Sequence, residues 1–155
     1  MSSAALGDLA LLLADKHCRD VVLAAAHAVD SQNYDAFVAC FTTDANVIRP
    51  GGSVLEGHSD ILASYKAKHP SRLTRHVVCN HSIDVQSGDS AVSRCTVLLY
   101  VSDASRPSAP QGRQADAAHQ VGHIVDQLVR TPEGWKIQQR NAWFEFQVAA
   151  SPSTP

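Results

Sequence analysis

The sequence predicts an α+β domain: three N-terminal helices packed on a strongly curved antiparallel β-sheet, a cone-shaped α+β barrel enclosing a pocket. Three observations carry this. Helical apolar spacing dominates the first seventy or so residues, with only a short hairpin between the second and third helices. From residue 72 onward long alternating segments take over, separated by turn clusters. Helices followed by a run of strands is the α+β order, and such a sheet buries its inner face by curling around the helices. The mouth of the resulting cone is a natural ligand site.

The elements follow in order. Residues 7–29 place Leu9, Leu12, Leu13, Val21, Val22, Ala25, Ala26 and Val29 at helical spacing. Alanine is dense at 24–28, where close packing or a cavity wall needs small side chains. Asp30-Ser31-Gln32-Asn33 breaks this helix and caps a short second one, Tyr34 to Phe41. Ala45–Arg49 reads as a strand, turned at Pro50-Gly51-Gly52 into Val54-Leu55. His58 to His69 is a third helix, stopped by Pro70. The strands are then Arg72–Val85, Ala91–Val101, Ala117–Arg130 and Trp135–Gln147. The Ser/Pro/Gly-rich segment 102–116 reads as a long mobile loop, and 149–155 as a disordered tail after a single domain spanning 1–148.

With 155 residues and 45% apolar content, the chain can bury a core without disulfides or a structural metal. A net charge of −2 gives no electrostatic footprint for nucleic acid, and no Lys/Arg cluster marks a membrane surface. The longest apolar run, Leu9 to Ala14, is too short to span a bilayer and lacks a basic leader. Cys18, Cys40, Cys79 and Cys95 show no metal or redox spacing and read as small buried residues of a cytoplasmic protein. His119 and His123 have helical ligand-pair spacing, but a strand separates them by about 13 Å, too far to share one ion. No metal, phosphate-binding glycine loop, dinucleotide fingerprint or serine elbow is read, so no cofactor is expected.

Two strings carry the candidate chemistry. Ala-His-Ala-Val-Asp at 26–30 ends the first helix in a carboxylate, Asp30, and Thr-Arg-His-Val-Val-Cys-Asn at 74–80 sets His76 in a strand. Alternation puts Thr74, His76, Val78 and Asn80 on one face. A carboxylate that orients a histidine makes a general base near neutral pH. His27, three residues before Asp30, reads as a surface or packing residue. Arg49 is a candidate cationic clamp for a carboxylate, enolate or leaving oxygen. Tyr100, Asp126, Asn141 and Trp143 lie on strands that line the cone, and an inward Asp126 would need Arg49, Arg94 or a histidine as partner.

Residues 29–45, Val-Asp-Ser-Gln-Asn-Tyr-Asp-Ala-Phe-Val-Ala-Cys-Phe-Thr-Thr-Asp-Ala, resemble the early signature of the SnoaL-like families in the nuclear-transport-factor-2-like superfamily. Gly57-His58-Ser59-Asp60-Ile61, Thr74-Arg75-His76 and Val129 to Ile137 match in order and spacing, so the resemblance covers about residues 8–146. It implies the same cone fold. Scytalone dehydratase, hexachlorocyclohexane dehydrochlorinase and bile acid dehydratases of this superfamily use a histidine–aspartate pair for proton abstraction, and the resemblance places that pair at His76 and Asp30. Val29 stands where scytalone dehydratase has a tyrosine, Arg49 aligns with its second cavity tyrosine, and Gly122 and Ile124 fall near its serine and asparagine ligands. Tyr34 aligns with an aromatic core position.

Two functions follow. One is a cofactor-independent lyase or isomerase acting on a small hydrophobic, aromatic or polyketide-like molecule. The other is a non-catalytic binding module or oligomeric subunit, such as the small subunit of a ring-hydroxylating dioxygenase. Under both, the aromatic end of the last strand, Trp143-Phe144-Glu145-Phe146, suits a homodimer or homotrimer contact.

Overall fold

The computed structural model describes residues 7–149; the expectation of a disordered tail lies, beyond residue 149, outside the described residues. Helix α1 spans Asp8–Asp30, and Ala14, Cys18, Val22, Ala25 and Val29 form its buried stripe at spacings of three and four. It ends because Gln32 turns left-handed, at φ 58°. The Gln32 amide then donates to the carbonyls of Pro70 at 3.0 Å and Arg72 at 2.9 Å. The end of α1 is thereby tied to the start of a strand forty residues on.

Helix α2, Tyr34–Ala39, is capped by Asn33, whose side-chain oxygen accepts from the Ala36 amide at 3.1 Å. The helical spacing extends this helix to Phe41, but the chain turns into strand β1 (Phe41–Ile48) instead. The cause is non-local: the Ile137 amide donates to the Cys40 carbonyl at 2.9 Å, and Lys136 Nζ donates to the Ala39 carbonyl at 2.6 Å. The last strand captures the chain before the helix can continue. Strand β2 (Val54–Glu56) completes the hairpin, and helix α3 runs Gly57–Lys66, ending before the expected His69. Ile61 on α3 is fully buried, and Phe37 packs edge-on to Phe41 and against Tyr65 with ring centroids 4.9 and 4.4 Å away.

The long strands are β3 (Arg72–Val85), β4 (Ser90–Asp103), β7 (His119–Thr131) and β8 (Gly134–Val148). The segment expected as a structureless loop contains a small hairpin of β5 (Ser108–Ala109) and β6 (Gly112–Arg113). Arg106–Asp116 at 2.7 Å closes the segment on itself, and Ser102 of β4 ties it to the sheet by donating to the Gln114 carbonyl.

The six-stranded sheet runs β2-β1-β8-β7-β4-β3. It is mixed rather than antiparallel, because β1 lies parallel to β8. It also stays open, with β2 and β3 as edges, so the expected barrel is a curled half-barrel wrapped over the helices. Bulges supply the curl. On β3 one extra residue sits between Cys79 and Ser82, with Asn80 at φ 48°. This moves Asn80 out to solvent and brings His81 inward, so Asn80 leaves the face that simple alternation gave it. On β8 an extra residue opposes β7 between Phe144 and Phe146, and another between Ile137 and Gln139.

The first β8 bulge sets the packing at Gly122. A Cβ there would lie 2.6 Å from the Trp143 carbonyl oxygen and 3.0 Å from a Phe144 ring carbon. Only glycine fits without moving backbone. Gly122→Ala is expected to destabilise the fold by about 1–3 kcal/mol, read as a lower urea midpoint at unchanged slope. An unchanged midpoint would mean that this strand pair has slack.

Candidate functional site

A cavity of about 330 Å³ opens between the concave face of the sheet and α1. Its walls are largely apolar: Val22, Ala25 and Val29 of α1 face Val78, Val97 and Leu99 of the sheet. The alanines of α1 leave the room, as their small size requires.

Asp30 and His76 meet at the wall of this cavity. The Asp30 carboxylate accepts from His76 Nδ1 at 2.6 Å and from the His76 backbone amide at 2.7 Å. The Thr74 hydroxyl donates to it at 2.9 Å. Arg75 reaches the Asp30 carbonyl at 3.3 Å. A carboxylate clamped by both the ring and the amide of one residue fixes that ring in rotation as well as in position. Burial alone would raise the Asp30 carboxyl, but the hydrogen bonds from the His76 ring and amide, the His76 charge and the Thr74 hydroxyl outweigh it. The carboxyl is therefore held below the ordinary carboxylate range. With Nδ1 spent on Asp30, the remaining ring edge of His76 belongs to the cavity wall.

The other sequence candidates divide. Arg49 lines the cavity at the end of β1, its Nη1 donating to Ser64 Oγ at 2.7 Å and its guanidinium 5.4 Å from the Tyr65 ring. Trp143 also lines it, although 42% exposed, with its ring 5.4 Å from that of His123. Tyr100 does not line it: alternation on β4 turns Leu99 inward and Tyr100 outward, where it stacks on His119 at 4.8 Å. Asn141 is exposed, and its neighbours Arg140 and Ala142 line the cavity in its place. His27 is exposed on α1.

Asp126 is fully buried but lies behind the cavity rather than in its wall. Its partner is Arg140, not Arg49, Arg94 or a histidine: Nε and Nη2 each donate to a carboxylate oxygen at 2.7 Å. The two-point geometry is the strong form of this pair. Burial opposes the charge on Arg140, but attraction and hydrogen bonding to Asp126 win and raise its pKa. Arg140 thus reaches the cavity already neutralised.

Three contributors escaped the sequence reading. Tyr65 and Lys68, at and just beyond the end of α3, and Arg72, at the start of β3, all line the cavity. Lys68 Nζ sits 3.9 Å from the centre of the Tyr65 ring. Burial, then repulsion from Arg49 and Arg72, pushes its amine down to about 8 against a smaller pull from Asp30. The only signal in the sequence was that the basic residues flank Pro70, where the third helix must stop. Cys95 also faces the cavity, but burial, then the Asp126 charge, pushes its thiol up to about 11. It is no thiolate nucleophile at neutral pH. Among the described residues no group of His, Cys, Asp or Glu is arranged to hold a metal ion, and no helix is long and apolar enough to cross a membrane.

The SnoaL-like domain family matches residues 10–141. No curated protein matches the sequence significantly. Among solved structures, a candidate aromatic ring hydroxylase from Novosphingobium aromaticivorans is 23% identical, with TM-score 0.70 over 90% of this chain and 94% of that one. A candidate scytalone dehydratase from the same organism is 16% identical, with TM-score 0.76 over 94% and 93%. A hexachlorocyclohexane dehydrochlorinase, LinA type 2, is 16% identical, with TM-score 0.76 over 94% of both chains. At these identities the likeness is one of fold.

Two outcomes follow from this geometry. Asp126→Asn leaves a buried guanidinium uncompensated and is expected to cost about 3–5 kcal/mol in urea unfolding. In His76→Ala the Asp30 carboxyl loses its ring hydrogen bond and charge partner, so its pKa rises. A depressed carboxyl contributes stability above its unfolded value and loses it as pH falls through the folded one. Acid unfolding of this variant therefore begins at higher pH than in the wild type. A carboxyl ¹³C titration checks the shift directly, and an unmoved Asp30 signal would refute the coupling.

Proposed function

Given that the chain belongs to the SnoaL-like domain family, we propose that it is a cofactor-independent lyase or isomerase using His76 as general base and Asp30 as the group that orients it. The observation that carries this is the double grip of Asp30 on the ring nitrogen and amide of His76 at the wall of an apolar cavity. The reaction begins when the His76 Nε2 lone pair takes a proton from a carbon beside an activating group. Asp30 holds the neutral ring with its proton on Nδ1 and then stabilises the imidazolium. Arg49 faces the oxyanion that develops on the activating group. The electron pair left on carbon then expels a neighbouring hydroxyl as water, with the imidazolium returning its proton, or is reprotonated at another carbon. The substrate is a small, largely apolar molecule such as a hydroxylated aromatic, polyketide or steroid-like compound. The names of the dehydratase and dehydrochlorinase neighbours support the reaction class.

A second reading rests on a separate observation. Trp143, Phe144, Phe146 and Val148 at the end of β8 are 40–58% exposed, more apolar surface than one strand end ordinarily shows to water. The reading is that this strand packs against another subunit, as a homodimer or homotrimer or as a non-catalytic partner in a larger oxygenase.

Hydrogen–deuterium exchange separates the readings. A panel of hydroxylated aromatic and enone compounds is incubated with the protein in D₂O and followed by NMR for deuterium uptake or loss of water. His76→Ala and Asp30→Asn are expected to lower exchange on the order of 10²–10⁴-fold with circular dichroism unchanged. Exchange that survives both substitutions sinks the base assignment, and a wild type inert to the whole panel leaves the binding-subunit reading.

A further inference from the structure

One end of the cavity carries more positive charge than the proton-transfer reading uses, since that reading draws on Arg49 alone. Arg49, Lys68 and Arg72 come together there from three elements: the end of β1, the turn after α3 and the start of β3. Arg49 and Lys68 both lie against the one Tyr65 ring, at 5.4 and 3.9 Å. Among the described residues none of the three forms an ion pair with a carboxylate, whereas Arg140, the other cation in the cavity wall, does; Arg75, Arg94, Arg113 and Arg130 are unpaired as well but lie outside the cavity. The contrast is sharper because the whole chain carries a net charge of −2. The acid that acts on Lys68, Asp30, already serves His76 and Thr74. Three cations held together without a counter-ion repel one another, and that repulsion adds to burial, the larger cause, in depressing the Lys68 amine. Such an arrangement disfavours the empty cavity and is relieved when an anion enters.

We propose that Arg49, Lys68 and Arg72 form a carboxylate-binding end of the cavity, so that the ligand is a compact apolar acid whose hydrocarbon body lies along Val29, Val78 and Val97. The inference rests on reading the cavity as the substrate site and narrows its substrate class. A carboxylate fits better than a phosphate dianion for two reasons. Arg49 has already committed one nitrogen to Ser64, and the Asp30 charge acts at the same end and disfavours a second negative charge. The Tyr65 ring gives the clamp a flat floor: it carries the two cations on its face and is kept a neutral phenol by burial.

The test is calorimetric titration of the wild type with 2-naphthoate and with its uncharged counterpart 2-naphthalenemethanol at low ionic strength. The acid is expected to bind on the order of 10-fold or more tightly than the alcohol, and added potassium chloride is expected to erode the difference. In Lys68→Met/Arg72→Met the preference falls toward unity while the alcohol binds as before. Equal affinity for the two probes in the wild type, including no detectable binding of either, overturns the proposal. So does a preference that survives in the folded double variant. The titration reads binding alone, so it separates from the reaction. A wild-type carboxylate preference without proton exchange refutes the base assignment and keeps this inference, and exchange on neutral compounds without that preference does the reverse.

Discussion

The Asp30 carboxylate is the constraint from which the rest of the site follows. It stands on the last residue of α1 and binds the ring and amide of His76 together with the Thr74 hydroxyl. These are charge-assisted bonds, each worth about 1.5–3 kcal/mol, and they cross from the helix layer to the edge strand of the sheet. Gln32, two residues on, adds its own two bonds to the carbonyls of Pro70 and Arg72. Helix and strand are pinned at this end and tied again where Arg19 donates to the His81 carbonyl at 2.8 Å, while alanines of α1 between the two ties line the cavity. A cavity can persist there because the pin carries the contact that apolar packing would otherwise have to make. The same carboxylate therefore holds the wall in place and orients the group that faces the cavity.

A second ionic contact does the opposite work. Asp126 and Arg140 cancel each other behind the cavity, with both partners almost entirely out of water. Desolvation consumes most of what their attraction yields, so the pair adds little net stability over an apolar replacement. Its effect is on register: the two-point geometry holds only if β7 and β8 pair Asp126 with Arg140. That pairing includes the bulge between Ile137 and Gln139, which bends β8 and aims Arg140 and Ala142 into the concavity.

How far the sequence reveals this molecule depends on the range of each interaction. The start of α2, the hairpin turns and the limits of β3 are set within a few residues, and Asn33, Pro70 and the 131–134 turn announce them. The fate of Phe41 is not local: its strand conformation comes from Ile137 and Lys136, nearly a hundred residues away. Asn80, Tyr100, Asp126 and Asn141 divide on the same principle. Alternation on an undisturbed strand suffices to decide that Tyr100 points away once Leu99 is known to point in. A bulge shifts every residue beyond it by one, and neither the bulge at Asn80 nor those on β8 is marked by glycine. Counting back from the Thr131–Gly134 turn without the bulge would set Asp126 opposite Gln139, so the real partner was hidden by a single residue. Lys68 and Arg72 were hidden in a different way, since only the meeting of the α3 end with β1 and β3 makes three scattered cations one group.

The cavity that results has its polar groups sorted by charge. His76 and Asp30 form a pair that can take up a proton without changing the charge balance of the rest. Arg140 is neutralised from behind, and Arg49, Lys68 and Arg72 have no ion-pair partner among the described residues. In an apolar enclosure an uncompensated charge acts over longer distances than in water, so those cations bias the whole volume toward negative charge. A negative charge that develops on a bound molecule as His76 removes its proton would be drawn toward that end. Under the proposed reaction that attraction would assist proton abstraction.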